Sequence, residues 1–218
     1  MQELNNRIEQ YIKDPDEPTN SFQLGYQYEL MGHPASAMGY YLKCAELTDD
    51  NKLAYECLLR KAMCYQSLKD RNAHVRNCCL LAIGLAPERP EAYHLLSISY
   101  ERAGLWQESY AWAVAGQRLN GISKKDALGT FVNFEGYFVL PFQEAVSLWW
   151  LGRFKDSLKK FKEVSEMELT PAYVGHVKWN IDNLEGKDAD ELSGLTKTST
   201  QDKEEIIKRI LAKKSDKK

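Results

Sequence analysis

The feature that most constrains this sequence is a unit of two short helical patterns that recurs along the chain. In the clearest copy, residues 90–119, two amphipathic patterns flank a turn at Gly104. Three tyrosines mark the first helix of successive copies at intervals of about 36 residues: Tyr28, Tyr65 and Tyr100. One helix pair covers only one side of each helix, so such units must stack to build a core. We therefore expect an all-α chain of side-by-side helical hairpins with capping helices at its ends.

The spacing also predicts how the chain divides. At Glu185 the composition changes to Gly, Ser, Thr and charged residues, with too little apolar surface to fold unaided. We expect an N-terminal cap helix (1–17), a repeat domain (18–184), a linker (185–200) and a C-terminal amphipathic helix with a basic tail (201–218). Within the repeat domain the expected parts are pairs at 18–51, 52–89 and 90–119, an insertion at 120–136, a fourth pair at 137–169 and a cap helix at 170–184.

The first complete unit carries a recognisable motif. It places Ser21, Leu24, Gly25 and Tyr28 on its first helix, and Ala37 and Tyr41 on its second. This spacing resembles the tetratricopeptide repeat, W-x2-L-G-x2-Y followed by A-x3-F in about 34 residues, with serine in place of the tryptophan. The resemblance implies an α-α superhelix whose concave side, formed by the first helix of each pair, binds a segment of a partner protein.

The resemblance also implies which residues line the groove. Family geometry places them at the second, fifth, ninth and twelfth positions of each first helix. The residues assigned from these positions, three on each helix, are Phe22, Tyr26, Glu29, Leu59, Met63, Gln66, His94, Ile98, Glu101, Phe142, Val146 and Trp149. Most are apolar or aromatic, as a groove for an amphipathic helix or an extended peptide requires. Some could instead be core residues, above all Phe142 and Trp149, and Pro141 leaves the register of the fourth pair open.

Two further comparisons with known families narrow the class of partner that we expect. Family members that clasp a C-terminal carboxylate use Lys and Asn at the positions of Phe22 and Tyr26, so chaperone-tail binding is not expected. Stretches within residues 18–167 are similar to the repeat region that accompanies family-2-like glycosyltransferase domains of bacteria and tailed phages, for example RPEAYHLLSISYERAGLWQESY and EAVSLWWLGRF. The chain lacks the α/β pattern and nucleotide-sugar Asp motif of the transferase itself. This resemblance implies an accessory module that positions a glycosyltransferase or its acceptor.

Composition and motifs argue against several other functions. The net charge is −2 and no apolar run approaches the ~20 residues of a membrane span, so we expect no nucleic-acid or membrane partner and a cytoplasmic address. The chain has five cysteines but no CxxC pair, which favours buried free thiols. Its four histidines, His33, His74, His94 and His176, lie in different units outside any catalytic or metal-binding motif. We expect no cofactor, no metal and no enzymatic activity.

The C-terminal pattern adds one more candidate surface. Four apolar residues gather on one side of a helical segment: Ile206, Ile207, Ile210 and Leu211. The segment could be a solvated tail, could dock on the chain's own groove or on a partner, or could occupy the groove of a second copy and form a homo-oligomer. The leading hypothesis is a non-catalytic protein-interaction adaptor or scaffold; the alternatives are the glycosyltransferase accessory and a self-assembling structural protein.

Overall fold

The computed structural model describes residues 2–68, 70–118 and 127–187, which form ten α-helices and no β-strand. Their bounds are α1 Gln2–Lys13, α2 Pro18–Leu30, α3 Pro34–Leu47, α4 Asn51–Ser67, α5 Asn72–Leu85, α6 Glu91–Arg102, α7 Trp106–Gln117, α8 Val139–Trp150, α9 Phe154–Ser165 and α10 Pro171–Leu184. This confirms the all-α class. Consecutive helices from α1 to α7 pack against one another, and α9 packs on α10.

Local signals in the sequence begin and end these helices. Pro18 and Pro34 occupy first turns, where a backbone N–H would have no intrahelical partner, and the Asp50 carboxylate caps α4 by accepting from the Lys52 amide at 2.8 Å. Gly104 makes the turn between α6 and α7 at a φ of 72°. Asp70 takes the same left-handed conformation, at 61°, in the turn between α4 and α5. Aspartate tolerates it better than most residues, which explains how this turn forms without glycine.

The described residues form two compact units, one up to Gln143 and one from Glu144 onward. The first contains α1 to α7, residues 127–138 and the start of α8. The second contains the rest of α8 with α9 and α10, and its core includes Phe161, Val164 and Val177. In it, the Ser157 hydroxyl donates to the Ala145 carbonyl at 2.8 Å. The domain boundaries given above stay a prediction.

Small residues allow the two helices of each pair in the first unit to approach closely. Gly25, Ala62 and Ser97 occupy equivalent positions of α2, α4 and α6, and all three are buried. A Cβ atom at Gly25 would lie only 3.1 Å from the Cβ of Tyr40 on α3. The Ser97 hydroxyl instead donates to the Ser109 carbonyl of α7 at 2.8 Å. The repeat motif's small residue is therefore a packing requirement.

The cysteines belong to the core of the first unit. All five are free and buried, as the sequence predicts. Cys44, Cys57 and Cys64 pack with Tyr41 in a cluster between α3 and α4, and burial raises the pKa of Cys64 to about 12. Cys78 and Cys79 lie in a second cluster with Leu59. Buried free cysteines pack as small apolar side chains, so these residues contribute to the core.

Candidate functional site

Part of the predicted insertion packs on the first helices of two pairs. We call residues 127–136 the insertion segment, and the surface that it covers on α4 and α6 the inner groove. Its residues alternate: Val132 is 6% exposed and packs in one cluster with Leu59, whereas Phe131 is 60% exposed. Leu128 and Phe134 are partly buried against the same cluster. The inner groove therefore holds a polypeptide whose side chains alternate between more buried and more exposed positions, and that polypeptide is the chain's own.

A buried carboxylate on α4 binds the middle of the insertion segment. Glu56 is only 3% exposed. Its Oε2 accepts from the Gly129 amide at 2.8 Å and its Oε1 accepts from the Thr130 hydroxyl at 2.5 Å. A Cβ atom at Gly129 would lie 3.3 Å from Oε2. The Glu56 carboxylate therefore fits a bound segment in which a residue without a side chain is followed by a residue with a hydroxyl.

Arg60, one helical turn after Glu56 and on the same face of α4, completes the contact. Its Nε donates to the Thr130 hydroxyl oxygen at 2.8 Å, and its guanidinium pairs with Glu29 of α2 at 3.0 Å. The guanidinium also lies over the Tyr26 ring, with the carbon 4.7 Å from the ring centroid. Arg60 is almost completely buried, so these partners replace the water that its charge has lost.

Glu29 is held from both sides. One carboxylate oxygen pairs with Arg60, and the other accepts from the Tyr41 hydroxyl of α3 at 2.6 Å. Burial, helped by the bond to Glu29, raises the pKa of Tyr41, so the hydroxyl remains a donor. A continuous network of polar contacts therefore runs from Tyr41 through Glu29, Arg60 and Thr130 to Glu56.

A histidine of α6 lies under the far end of the insertion segment. His94 is 4% exposed, and the Phe134 ring meets its imidazole edge-on with ring centroids 5.9 Å apart. Its Nδ1 is buried and has no hydrogen-bond partner among the described residues. Burial lowers the pKa of His94 to about 4, so the imidazole is neutral at pH 7. Covering this ring therefore favours the uncharged form.

The insertion segment leaves some space beside it. A cavity of about 330 Å³ lies between Glu91, at the start of α6, and the segment residues from Ala127 to Phe134. On the other side, the half-buried Met63 and Ile98 lie one turn beyond Arg60 and His94 on the same faces of α4 and α6. The surface of the inner helices therefore extends past the residues that the segment uses.

The structure distributes the predicted groove residues over several environments. Leu59 and His94 are buried and share a cluster or a ring contact with the insertion segment. Half-buried positions in the first unit are Phe22, Tyr26, Glu29, Met63, Gln66, Ile98, Glu101 and Phe142, and in the second unit Val146 and Trp149. The structure joins Tyr26 and Glu29 through Arg60. The assignment of all twelve to a partner-binding groove stays a prediction.

The predicted C-terminal docking residues, Ile206, Ile207, Ile210 and Leu211, lie outside the described residues, as does everything after Lys187. In the described ranges no helix is long and apolar enough to cross a membrane. No group of three or more His, Cys, Asp or Glu side chains that could hold a metal ion occurs in that part of the chain either.

Sequence reasoning missed the residues that hold the insertion segment. Glu56 and Arg60 stand four residues apart in a largely apolar run of α4, a pattern that marks a charged pair facing something other than solvent. The insertion itself contains Leu-Gly-Thr-Phe-Val-Asn-Phe, in which every second residue from Leu128 to Phe134 is apolar or hydroxylated. Such alternation is typical of an extended segment with one buried side.

The described helices define a class of protein: a tetratricopeptide-like array of helical hairpins. The structure of MamA is similar to this chain with a TM-score of 0.61 and 16% identity. The match covers 75% of this chain and 85% of MamA. YrrB, described as a TPR protein with an unusual peptide-binding site, matches 87% of this chain and 90% of its own, with a TM-score of 0.59 and 13% identity. A putative kinesin light chain of Podosopora anserina with TPR-like repeats gives a TM-score of 0.55 at 12% identity, over 84% of this chain and 95% of its own.

Identities this low show the fold alone. No family model matches the sequence, and no curated protein matches it.

Proposed function

We propose that this chain is a non-catalytic protein-interaction adaptor whose inner groove binds an extended segment of a partner protein. One observation carries the proposal: the groove already holds a polypeptide, through the bonds of Glu56 to the Gly129 amide and the Thr130 hydroxyl. A surface that satisfies a backbone donor and packs alternate side chains has the two properties that extended-peptide recognition needs.

Two further features support the proposal. The likeness to YrrB, a TPR protein described as having a peptide-binding site, fits a groove that takes peptides. Met63 and Ile98 extend the inner surface with partly accessible apolar area, which supplies most of the energy in peptide grooves. Five free buried thiols fit a reducing compartment, and we place the adaptor in the cytoplasm.

The partner class that the sequence resemblance favours is a glycosyltransferase, which the adaptor would position near its acceptor. Mixing the purified chain with a transferase encoded beside it, and measuring sugar transfer with and without the chain, tests this assignment. The self-assembly alternative depends on the face formed by Ile206 to Leu211. Light scattering of the full chain and of a chain ending at Glu185 tests it, since loss of that face should lower the mass if it joins copies.

The adaptor proposal is tested by affinity purification from the native host, with partners identified by mass spectrometry. We expect Met63→Glu and Ile98→Glu to remove a partner that the wild-type chain retains, because each places a charge on the inner surface. The matched control is Leu80→Glu, which places the same charge at a 44% exposed apolar position of α5, the second helix of its pair. Equal recovery of the partner with all three variants, each folded by circular dichroism, would refute the groove assignment.

A further inference from the structure

We propose that the insertion segment is an internal, displaceable ligand of the inner groove, and that the groove recognises segments with the pattern small residue, hydroxyl residue, any residue, apolar residue. In the structure described above, this ligand is Gly129-Thr130-Phe131-Val132. It blocks the inner groove until a partner segment with similar chemistry replaces it. This inference rests on the proposed function.

The recognition chemistry follows from the contacts. The small residue is required because a side chain at Gly129 would crowd the Glu56 carboxylate at 3.3 Å. The hydroxyl is required because Thr130 donates to Glu56 and accepts from Arg60, and an apolar residue there would leave two buried charged groups short of partners. The side chain two residues later enters the apolar cluster, as Val132 does. Phe131 faces away, so its position carries little selectivity.

The insertion segment is held in a way that permits release. Within the described part of the chain, residues 127–134 make no backbone-to-backbone hydrogen bond, whereas α4 and α6, on which they pack, have the backbone bonds of α-helices. Val132 is its one buried side chain between Ala127 and Gly136. A segment with little buried apolar area and no backbone ladder opens at a lower free energy than the packed helices.

The connection also has enough length to move. The chain from the end of α7 at Gln117 to the start of α8 at Val139 is far longer than the roughly 2–8 residues that usually join helices in such arrays. Packing α7 against the start of α8 does not need this length, since Gly116 and Leu140 already meet there, with a Cβ at Gly116 falling 2.9 Å from Leu140. The joint between α7 and α8 therefore does not account for the length of the connection.

The test uses the full chain and a fluorescent peptide with the sequence of residues 127–136, ALGTFVNFEG. A variant with Thr130→Val and Val132→Ser loses the segment's main contacts but keeps Glu56, Arg60 and the rest of the groove. Because an intramolecular competitor acts at an effective concentration in the millimolar range, we expect the peptide to bind the variant at least about 10-fold more tightly than the wild type in fluorescence anisotropy. A peptide with valine at the threonine position should bind the variant at least about 10-fold more weakly than the threonine peptide does.

The outcomes separate this inference from the adaptor proposal. Equal peptide affinity for the wild type and the variant would show that the segment does not block the groove, and would overturn the inference while leaving the adaptor proposal intact. No binding to a variant that unfolds cooperatively, with a wild-type circular dichroism spectrum, would overturn the recognition pattern. The adaptor proposal would then stand or fall on the Met63, Ile98 and Leu80 comparison.

If the variant does not fold, hydrogen exchange of the wild-type chain decides the question. We expect the Gly129 amide, which is bonded to Glu56, to exchange at least about 100-fold faster than core amides of α4 and α6, because local opening breaks that bond without unfolding the helices. Exchange of the Gly129 amide only at the rate of global unfolding would make the segment a permanent part of the core and would overturn the inference.

Discussion

The Glu56 carboxylate accepts a hydrogen bond from the Gly129 amide at 2.8 Å, although 73 positions separate the two residues in the sequence. This bond joins the first helix of the second pair to a connection that follows the third. It places a backbone donor over a buried negative charge, which satisfies both groups at once. The contact determines what the inner groove holds, and the predictions below test the interactions around it.

The hydrogen bonds of Glu56 to the insertion segment should contribute measurably to the free energy of unfolding. Replacing Glu56 with Gln removes the charge and turns one acceptor into a donor, so one of its two bonds to the insertion segment is lost. We expect a loss of about 1–3 kcal/mol in the free energy of unfolding from urea denaturation. Glu46→Gln, at an exposed position of α3, is the control and should change stability by less than about 0.5 kcal/mol. An unchanged stability for Glu56→Gln would contradict the network described above.

The ion pair between Arg60 and Glu29 should show strong coupling. Arg60→Met deprives Glu29 and Thr130 of a partner in a largely dehydrated site, and we expect it to cost about 3 kcal/mol or more. Glu29→Gln alone should cost less, and in the double variant the two losses should not add. A double-mutant cycle by chemical denaturation measures this coupling, which we expect at about 0.5–3 kcal/mol. Strict additivity would show that the pair does not interact in solution.

Glycine substitutions should separate packing from helix propensity. Gly25→Ala places a methyl group 3.1 Å from the Tyr40 Cβ, and should destabilise the chain by about 1–3 kcal/mol. Gly39 and Gly84 are also helical, but nothing lies within 4 Å of a Cβ at either position. Alanine there should stabilise the chain by about 0.5–1 kcal/mol. Thermal denaturation of the three variants gives the comparison, and a Tm raised by Gly25→Ala as much as by the other two substitutions would refute the packing role of Gly25.

The buried histidine predicts a pH dependence of stability. The pKa of His94 is lowered to about 4 in the folded chain, whereas an unfolded histidine titrates near 6.5. As the pH falls, the unfolded state therefore binds a proton at a higher pH than the folded state does. The contribution of neutral His94 to the stability of the folded chain is complete above about pH 6.5 and is lost as the pH falls toward 4. We expect this loss to reach about 3 kcal/mol by pH 4.

The His94→Leu variant isolates that contribution. It removes the titrating group and keeps an apolar side chain beside Phe134, so its stability should fall less between pH 7 and pH 4 than that of the wild type. Urea denaturation at several pH values measures both curves. Parallel curves would show that His94 is accessible to protons in the folded state, contrary to its burial under the insertion segment.

The interactions that the sequence reveals are local. Helical periodicity, prolines in first turns, turn glycines and small residues such as Gly25 all act within one helix or one pair, so the hairpins and their order follow from residues close together in the chain. The groove residues follow only in part, since Leu59 and His94 are on the predicted faces but are buried. The residues that cover them belong to the insertion segment, which is distant in the sequence. No local pattern predicts where that segment packs.

By itself, the sequence determined an all-α succession of helical hairpins, because each helix and turn is specified by neighbours within a few residues. Only the tertiary structure decided that Gly129 and Thr130 lie on Glu56 and Arg60. A buried charge pair can be satisfied by any segment that reaches it with suitable donors, and packing of the whole first unit selects which one does. The same physics explains why the helices could be predicted and the occupant of the groove could not.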